Sequence, residues 1–231
     1  MKITSAILML SCITMTSLSQ KVNYGLLVGG NSAKWSGDVD IFIEQLESGM
    51  NFQSGFSGFS FNNSARLGFS VGGFLEFAVT NHLLIRSELA YVQKGARFVG
   101  SGTILGQNVD MKLIMLNDYV ELPLLIKLSL TKNEKLLNPY LIAGPSIGYK
   151  TLSKLKVTAK AGGESDSETE DFEGLKELNY GLNVGGGIKF KEVSIELRYQ
   201  KGLSPILSNN ASDGLDIKSG FISINLLISM Y

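Results

Sequence analysis

Charged residues recur at alternate positions within otherwise apolar stretches of this chain, and their types could support acid–base chemistry. A carboxylate beside a cation can serve as a general acid or base when a nucleophile and a substrate cleft accompany it. No histidine, serine or cysteine triad pattern accompanies these residues, so a structural ladder of opposite charges is favoured over a catalytic site. The set comprises Arg66, Glu76, Arg86, Glu88, Glu121, Lys127, Lys189, Glu196 and Arg198.

Metal and cofactor sites are not indicated by the remaining motifs. The chain has one cysteine, Cys12, and one histidine, His82, which excludes a cluster of such ligands. The acidic segment 162–174, "GGESDSETEDFEG", could attract calcium but lacks EF-hand spacing, so a flexible, solvated external loop is favoured. The glycines at 185–187 do not open a helix after a strand, as a phosphate loop would. We therefore predict no metal site and no cofactor.

The elements that must carry the charged residues are strands with two unlike faces. The stretch 119–128, "YVELPLLIKL", places apolar residues on one parity and Glu121 and Lys127 on the other. Pro123 cannot donate a ladder hydrogen bond, so it should mark a bulge or a missing bond in this strand. The residues assigned to the apolar, outward parity are Leu122, Leu124, Ile126, Ile195, Leu197, Ile224, Leu226 and Ile228.

The spacing of these strands indicates the topology. Connections between successive patterned stretches alternate between long and short, which places every long loop at one end of an up-and-down meander. Outer-membrane barrels show this asymmetry together with an even strand number. Eight stretches have the period-2 pattern, near 21–33, 64–79, 83–97, 113–130, 139–151, 178–191, 192–202 and 219–231.

Alternation alone leaves open which face meets lipid. A secreted or periplasmic lipocalin-like barrel, which would bind a small molecule, carries similar patterns with its charges outside. The loop asymmetry, aromatic residues at strand ends and the balanced signs of the polar face favour a membrane barrel with its charges inside. An eight-stranded barrel has room for side chains but not for a wide channel, so we predict a plugged, charge-paired interior.

The termini and the composition agree with an exported protein. Residues 1–19 have a basic start, an apolar core and small residues at a cleavage site, which predicts a removed signal peptide before one domain over 20–231. A lipidated Cys12 is an alternative. Lys and Arg together number 21, as do Asp and Glu, so nothing indicates a nucleic-acid partner. Tyr231 follows the apolar series of the last strand, which leaves the register of that strand open.

The chain from residue 20 onward resembles the PorT-like outer-membrane β-barrel proteins of the Bacteroidetes group. The resemblance implies an all-β, eight-stranded antiparallel transmembrane barrel with a signal peptide, and one branch of these proteins is associated with secretion. The stretches that carry it are "YVELPLLIKL" (119–128), "NPYLIAGPSIGY" (138–149), "NYGLNVGGGIKF" (179–190), "VSIELRYQKGLSPI" (193–206) and "YGLLVGGNSAKWSGD" (24–38).

We therefore predict a non-enzymatic protein of the cell outer membrane. Its expected partners are outer-membrane lipid, the barrel-assembly machinery and an unidentified protein at the external loops. A narrow solute pore is an alternative function. A barrel enzyme is a third, weaker option, since the sequence shows no catalytic cluster.

Overall fold

The computed structural model describes residues 22–131, 137–208 and 214–230 of the chain. Ten strands and one helix, α1 (Val39–Asn51), make up its regular structure. The predicted signal peptide and Cys12 lie outside the described residues. The strands are β1 (Val22–Gly37), β2 (Phe56–Ser64), β3 (Arg66–Ala78), β4 (Leu83–Ile104), β5 (Gln107–Ser129), β6 (Asn138–Ala161), β7 (Glu164–Asp171), β8 (Leu178–Phe190), β9 (Val193–Gly202) and β10 (Ile217–Met230).

Eight of these strands close into an antiparallel ring, as predicted. The ring order is β1, β3, β4, β5, β6, β8, β9 and β10, and β10 pairs back onto β1. Tight connections such as 79–82 and 191–192 lie at one end, the turn end, together with the start of β1. The long connections lie at the opposite end, the loop end. Pairing between β1 and β10 runs from Tyr24↔Met230 to Gly37↔Ile217 without a shift, while Tyr231 is outside the described residues.

Three predicted loops prove to contain regular structure. Strands β4 and β5 continue through the region expected to be a loop around 95–109 and are joined by Leu105 and Gly106, which both have positive φ. Such a two-residue turn matches the twist of the strands it joins. The segment 34–63 holds the end of β1, then α1 and β2, and the acidic segment 162–174 holds β7. The sequence interpretation of these segments as loops was wrong.

Strands β4, β5 and β6 are the longest and continue past the barrel at the loop end, where they form part of a further sheet. Strand β2 pairs with the outer part of β4, and β7 pairs with the outer part of β6, which gives a five-stranded extension in the order β2, β4, β5, β6, β7. An irregularity between β5 and β6 at Asp118/Tyr119 skips Thr151. Beyond this point, the odd-numbered residues of β6 point to the side that its even-numbered residues face before it. Leu155 and Val157 therefore point to the same side as Leu113.

An apolar core lies over the loop end of the barrel, and we call it the cap core. Helix α1 has apolar residues at positions that share one face, including Phe42 and Leu46, and packs them against the extension sheet. Side chains of α1 also cover the free edge of β2, since Glu47 accepts from Phe61 N at 2.6 Å. The buried members are Trp35, Val39, Phe59, Phe61, Ala96, Phe98, Leu113, Met115, Leu175, Ile206, Leu207 and Ile217.

The outer wall of the barrel is apolar between two sets of aromatic side chains. Tyr180 and Phe190 mark the two limits on β8, ten positions apart. At about 3.3 Å per residue and a tilt of about 40°, this span covers roughly 25 Å, the height of an outer-membrane apolar band. The aromatic residues on this wall are Tyr24, Phe69, Phe77, Tyr91, Tyr149, Tyr180, Phe190 and Tyr199.

Within the described ranges, the structure contains no helix that is both long and apolar enough to cross a membrane.

Candidate functional site: the ion-paired lumen

Two arginines organise the charges inside the barrel. Arg86 on β4 is 2.7 Å from a carboxylate oxygen of Glu76 and 2.7 Å from one of Glu196. Arg198 on β9 binds Glu88 with two nitrogens, each 2.7 Å from an oxygen, and also contacts Glu196. Forked contacts of this kind match the planar guanidinium to the carboxylate geometry. All five side chains are buried, so each charge is neutralised by its neighbours rather than by bulk water.

A lysine and a tyrosine complete this network near the turn end. Lys127 Nζ is 2.8 Å from Glu76 and 4.4 Å from the centre of the Tyr140 ring. The Tyr140 hydroxyl donates to Glu196 at 3.1 Å, so the ring bridges two members of the network. The ring lies directly over Gly187, where an added Cβ would be 2.5 Å from the hydroxyl. The glycine therefore makes the space that the tyrosine fills.

A second, smaller polar group lies toward the loop end. Lys94 forms an ion pair with Glu121 and also donates to Gln200. The amide of Gln200 donates to Glu121 at 3.0 Å and to Ser146 at 2.7 Å. Lys94 is fully buried between aromatic rings. Charges buried this deeply persist only when they are paired and hydrogen-bonded.

Apolar side chains and neutral polar side chains, mainly serine and asparagine, share the remaining lumen. Leu27, Phe74 and Leu227 form one buried cluster, and Leu125 packs with Tyr140 in another. The Phe74 ring lies over Gly25 and beneath the Arg86 guanidinium, 5.5 Å from the ring centre. A cavity beside Glu88 and Glu121 measures about 10 Å³. That volume is roughly what one water molecule requires.

The structure places most of the predicted ladder residues in this lumen, with two exceptions. Arg66 lies at the loop-end rim, where it contacts Asp118 at 3.4 Å apart from the main network. Lys189 is half-exposed, and it forms no ion pair within the described part of the chain. The residues brought together in the main network are Glu76, Arg86, Glu88, Lys127, Glu196 and Arg198, and Glu121 belongs to the smaller group.

Sequence reasoning missed several members of the site. Lys94 and Gln200 share the parity of the inward charges on their strands, and that parity was the available signal. Tyr140 had no such signal, because β6 carries none of the predicted inward charges. Asp118 gave no such signal, because it precedes the inward-facing Tyr119 and is on the parity of the apolar wall. It is nevertheless buried, since Arg66 and the Tyr91 hydroxyl both donate to it beside the irregularity at Asp118/Tyr119.

The residues assigned to the apolar parity lie on the outer wall. Their exposed fractions range from 40% for Leu226 to 63% for Ile224, which is far more than the buried inward parity shows. The full set is Leu122, Leu124, Ile126, Ile195, Leu197, Ile224, Leu226 and Ile228.

Pro123 lies on the inward face of β5 and interrupts its pairing with β4. Paired residues stop at Ser87↔Leu124 and resume at Ala90↔Glu121 in the same register, so the ladder has a gap at Pro123 but no bulge there. On the other side of β5, the pairing with β6 also breaks opposite Pro145. A pyrrolidine nitrogen cannot donate to a ladder, which accounts for both gaps.

The carboxylates of the main network accept from arginine, lysine or tyrosine and are enclosed by the barrel wall. In the described ranges, no three histidine, cysteine or acidic side chains are grouped so that they could hold a metal ion. The carboxylates of β7 stand exposed along an edge strand, where charge discourages pairing with another sheet.

A closed antiparallel ring with an apolar outer wall, two aromatic belts and a charged lumen defines a transmembrane β-barrel of the outer-membrane class. The family described as outer membrane protein beta-barrel domain matches residues 17–208. The chain belongs to this family and is a protein of the cell outer membrane. The alternative of a secreted or periplasmic lipocalin-like protein is therefore wrong.

Several solved structures are similar to this chain at low sequence identity. Ail, the attachment invasion locus protein of Yersinia pestis, has 10% identity over 90% of this chain and 98% of its own, with a TM-score of 0.39. Neisserial surface protein A has 13% identity over 89% of this chain and 96% of its own, also with a TM-score of 0.39. The outer membrane protein OprG from Pseudomonas aeruginosa has 11% identity over 90% of this chain and 93% of its own, with a TM-score of 0.36. No curated protein matches the chain.

Proposed function

We propose that this protein is a non-conducting, non-enzymatic anchor that holds a folded cap at the surface of the outer membrane. The observation that carries this proposal is the occupied lumen: ion-paired, neutral polar and apolar side chains point inward along the barrel, and the cavity beside Glu88 and Glu121 measures about 10 Å³. A hydrated ion or a nutrient needs a continuous path, and a cavity that holds about one water molecule is too narrow to be part of it.

The cap core supports the same proposal at the loop end. Trp35 is 1% exposed and packs edge-to-face on Phe98, with ring centres 5.7 Å apart. Phe42 of α1 contacts both rings. A solute would therefore have to displace the apolar core as well as the ion pairs. The inward carboxylates cannot serve as general acids or bases for an external substrate, because they are buried in pairs.

The outer surface of the cap supports a role in contact with another protein. Phe52 is 94% exposed at the end of α1, and Leu105 is 83% exposed in the turn between β4 and β5. Leu105 N donates to Gly55 O at 2.7 Å, which keeps this turn next to the segment that follows α1. Membership of the PorT-like family is part of this proposal and is supported by the sequence stretches given above. A role associated with secretion, which one branch of that family has, is proposed with it.

Recording from planar bilayers tests the closed lumen. After insertion of the refolded protein, verified by its heat-modifiable migration, we expect no discrete conductance steps because the lumen holds no continuous water path. A porin of known conductance, inserted under the same conditions, serves as the positive comparison. Discrete steps from the wild-type protein would contradict the proposal and favour the narrow-pore alternative.

A further inference from the structure

The extension sheet has one covered face and one uncovered face. Helix α1 and the cap core cover the first. The second carries Arg97, Val99 and Ser101 of β4, which share the parity of the outward-facing Leu89 on that strand. It is therefore the lipid-facing wall continued past the aromatic belt, and nothing else in the described part of the chain packs over it.

This uncovered face contains a groove of about 710 Å³. Strands β2, β4, β5 and β6 form its walls. The uncharged polar side chains that line it are Ser60 and Asn62 on β2, Ser101 on β4 and Thr158 on β6. The volume lies in the range that small ligands occupy in proteins. Hydroxyl and amide groups with both donor and acceptor capacity suit a ligand that is itself rich in hydroxyl groups.

Charges in and beside the groove are mostly positive. Lys112 on β5 and Lys160 on β6 line it, with Asp110 opposite Lys160. In the described residues, neither lysine forms an ion pair, whereas Lys154 on the same face is 3.4 Å from Asp171. Two ammonium groups and one carboxylate leave the groove with a net positive charge beside hydroxyl and amide groups. This favours an anionic, hydroxyl-bearing ligand, because lysine binds phosphate as a point charge.

The height of the groove above the membrane distinguishes between two kinds of lipid. Lys112 is eight positions beyond Val120, which pairs with Tyr91 of the loop-end aromatic belt. At about 3.3 Å per residue and a tilt of about 40°, the groove stands roughly 20 Å beyond that belt. The headgroup layer of a bilayer is only about 5–7 Å thick on each side. A phospholipid headgroup does not reach the groove, but the sugar chain of a glycolipid does.

We propose that the groove binds the phosphorylated saccharide chain of an outer-leaflet glycolipid. Lys112 and Lys160 pair with its phosphates, and Ser60, Asn62 and Thr158 bond its hydroxyl groups. The groove opens on the wall that the glycolipid surrounds, which favours a chain anchored in the same membrane over a free polyanion. This site goes beyond the anchoring function, because a closed barrel needs no saccharide site.

The test is a titration of the refolded full chain in detergent with rough lipopolysaccharide, which carries lipid A and a phosphorylated core, read by native mass spectrometry. We expect Lys112→Gln/Lys160→Gln to weaken binding roughly thirtyfold, on the scale of two lysines near an anionic surface. The matched control is Lys34→Gln/Lys201→Gln, which removes two exposed positive charges from the same wall on β1 and β9. We expect this control to bind like the wild type.

A second variant separates the groove from the general charge of the wall. Ser101→Trp fills the groove without changing any charge, and we expect it to weaken binding about tenfold or more while heat-modifiable migration is kept. Lipid A alone should bind weakly, with no difference between wild type and variants. Equal losses in both lysine pairs, no effect of Ser101→Trp, or lipid A binding as tightly as rough lipopolysaccharide would each overturn the proposal.

Discussion

Replacing Arg86 with methionine is expected to lower the free energy of unfolding by about 3–5 kcal/mol, the scale seen when a buried charge loses its partner. Arg86 lies within ion-pair distance of Glu76, Glu88 and Glu196, and its side chain is 1% exposed. Its loss leaves three buried carboxylates with only Lys127 and Arg198 to balance them. Urea unfolding in lipid vesicles, followed by heat-modifiable migration, measures the change.

Two comparisons make the Arg86 result specific. Lys189→Met removes an inward-parity cation that is half-exposed, and we expect it to change stability by less than about 1 kcal/mol. Adding Glu76→Gln to Arg86→Met restores equal numbers of positive and negative charges in the network and should recover part of the loss. An unfolding midpoint for Arg86→Met equal to that of the wild type would mean that the network does not stabilise the barrel.

Introducing arginine at Leu124 is expected to impair folding into the membrane by about 2–4 kcal/mol if the site lies near the bilayer midplane. Leu124 is 54% exposed in the middle of the apolar wall of β5. The cost arises because a guanidinium there must leave water for hydrocarbon. The yield of folded protein and its unfolding free energy in vesicles report the effect.

Leu130→Arg is the matched control for Leu124. Leu130 has the same parity and a similar exposure of 53%, but it follows the end of β5 at the turn end. Arginine near the membrane interface costs only about 0–1 kcal/mol. Equal stabilities for the two arginine variants would show that Leu124 does not face lipid.

The two faces of the barrel strands could be predicted because their side chains alternate with a period of two. On β9 and β10 the alternation is uninterrupted, and every second residue from Ile222 to Met230 lies on the outer wall. Which cation meets which carboxylate could not be predicted, since it depends on strand stagger. Arg86 meets Glu196 across the lumen, 110 positions apart in sequence, and nothing local specifies that pairing.

The loop end was the part that sequence patterns described poorly. In β7, Glu164, Asp166 and Glu168 read as a solvated loop because charge normally accompanies exposure, yet they form an edge strand held by pairing with β6. In β6, skipping Thr151 reverses the parity, so a period-2 reading ends at the irregularity. The cap core was missed because its apolar residues come from separate segments, and Phe59 and Phe61 appear among glycines and serines typical of loops.

The most direct test of the account compares single cysteines at neighbouring positions of β10, in a chain carrying Cys12→Ser. Ser223 is 2% exposed on the inward face, and Ile224 is 63% exposed on the outer wall. In vesicles, we expect Ile224→Cys to react with a bilayer-soluble maleimide, and Ser223→Cys to resist both this reagent and a water-soluble maleimide until the barrel is unfolded. Reaction of Ser223→Cys with the water-soluble reagent in the folded protein would contradict the closed lumen. Reaction of Ser223→Cys with the bilayer-soluble reagent alone would contradict the assignment of the two faces.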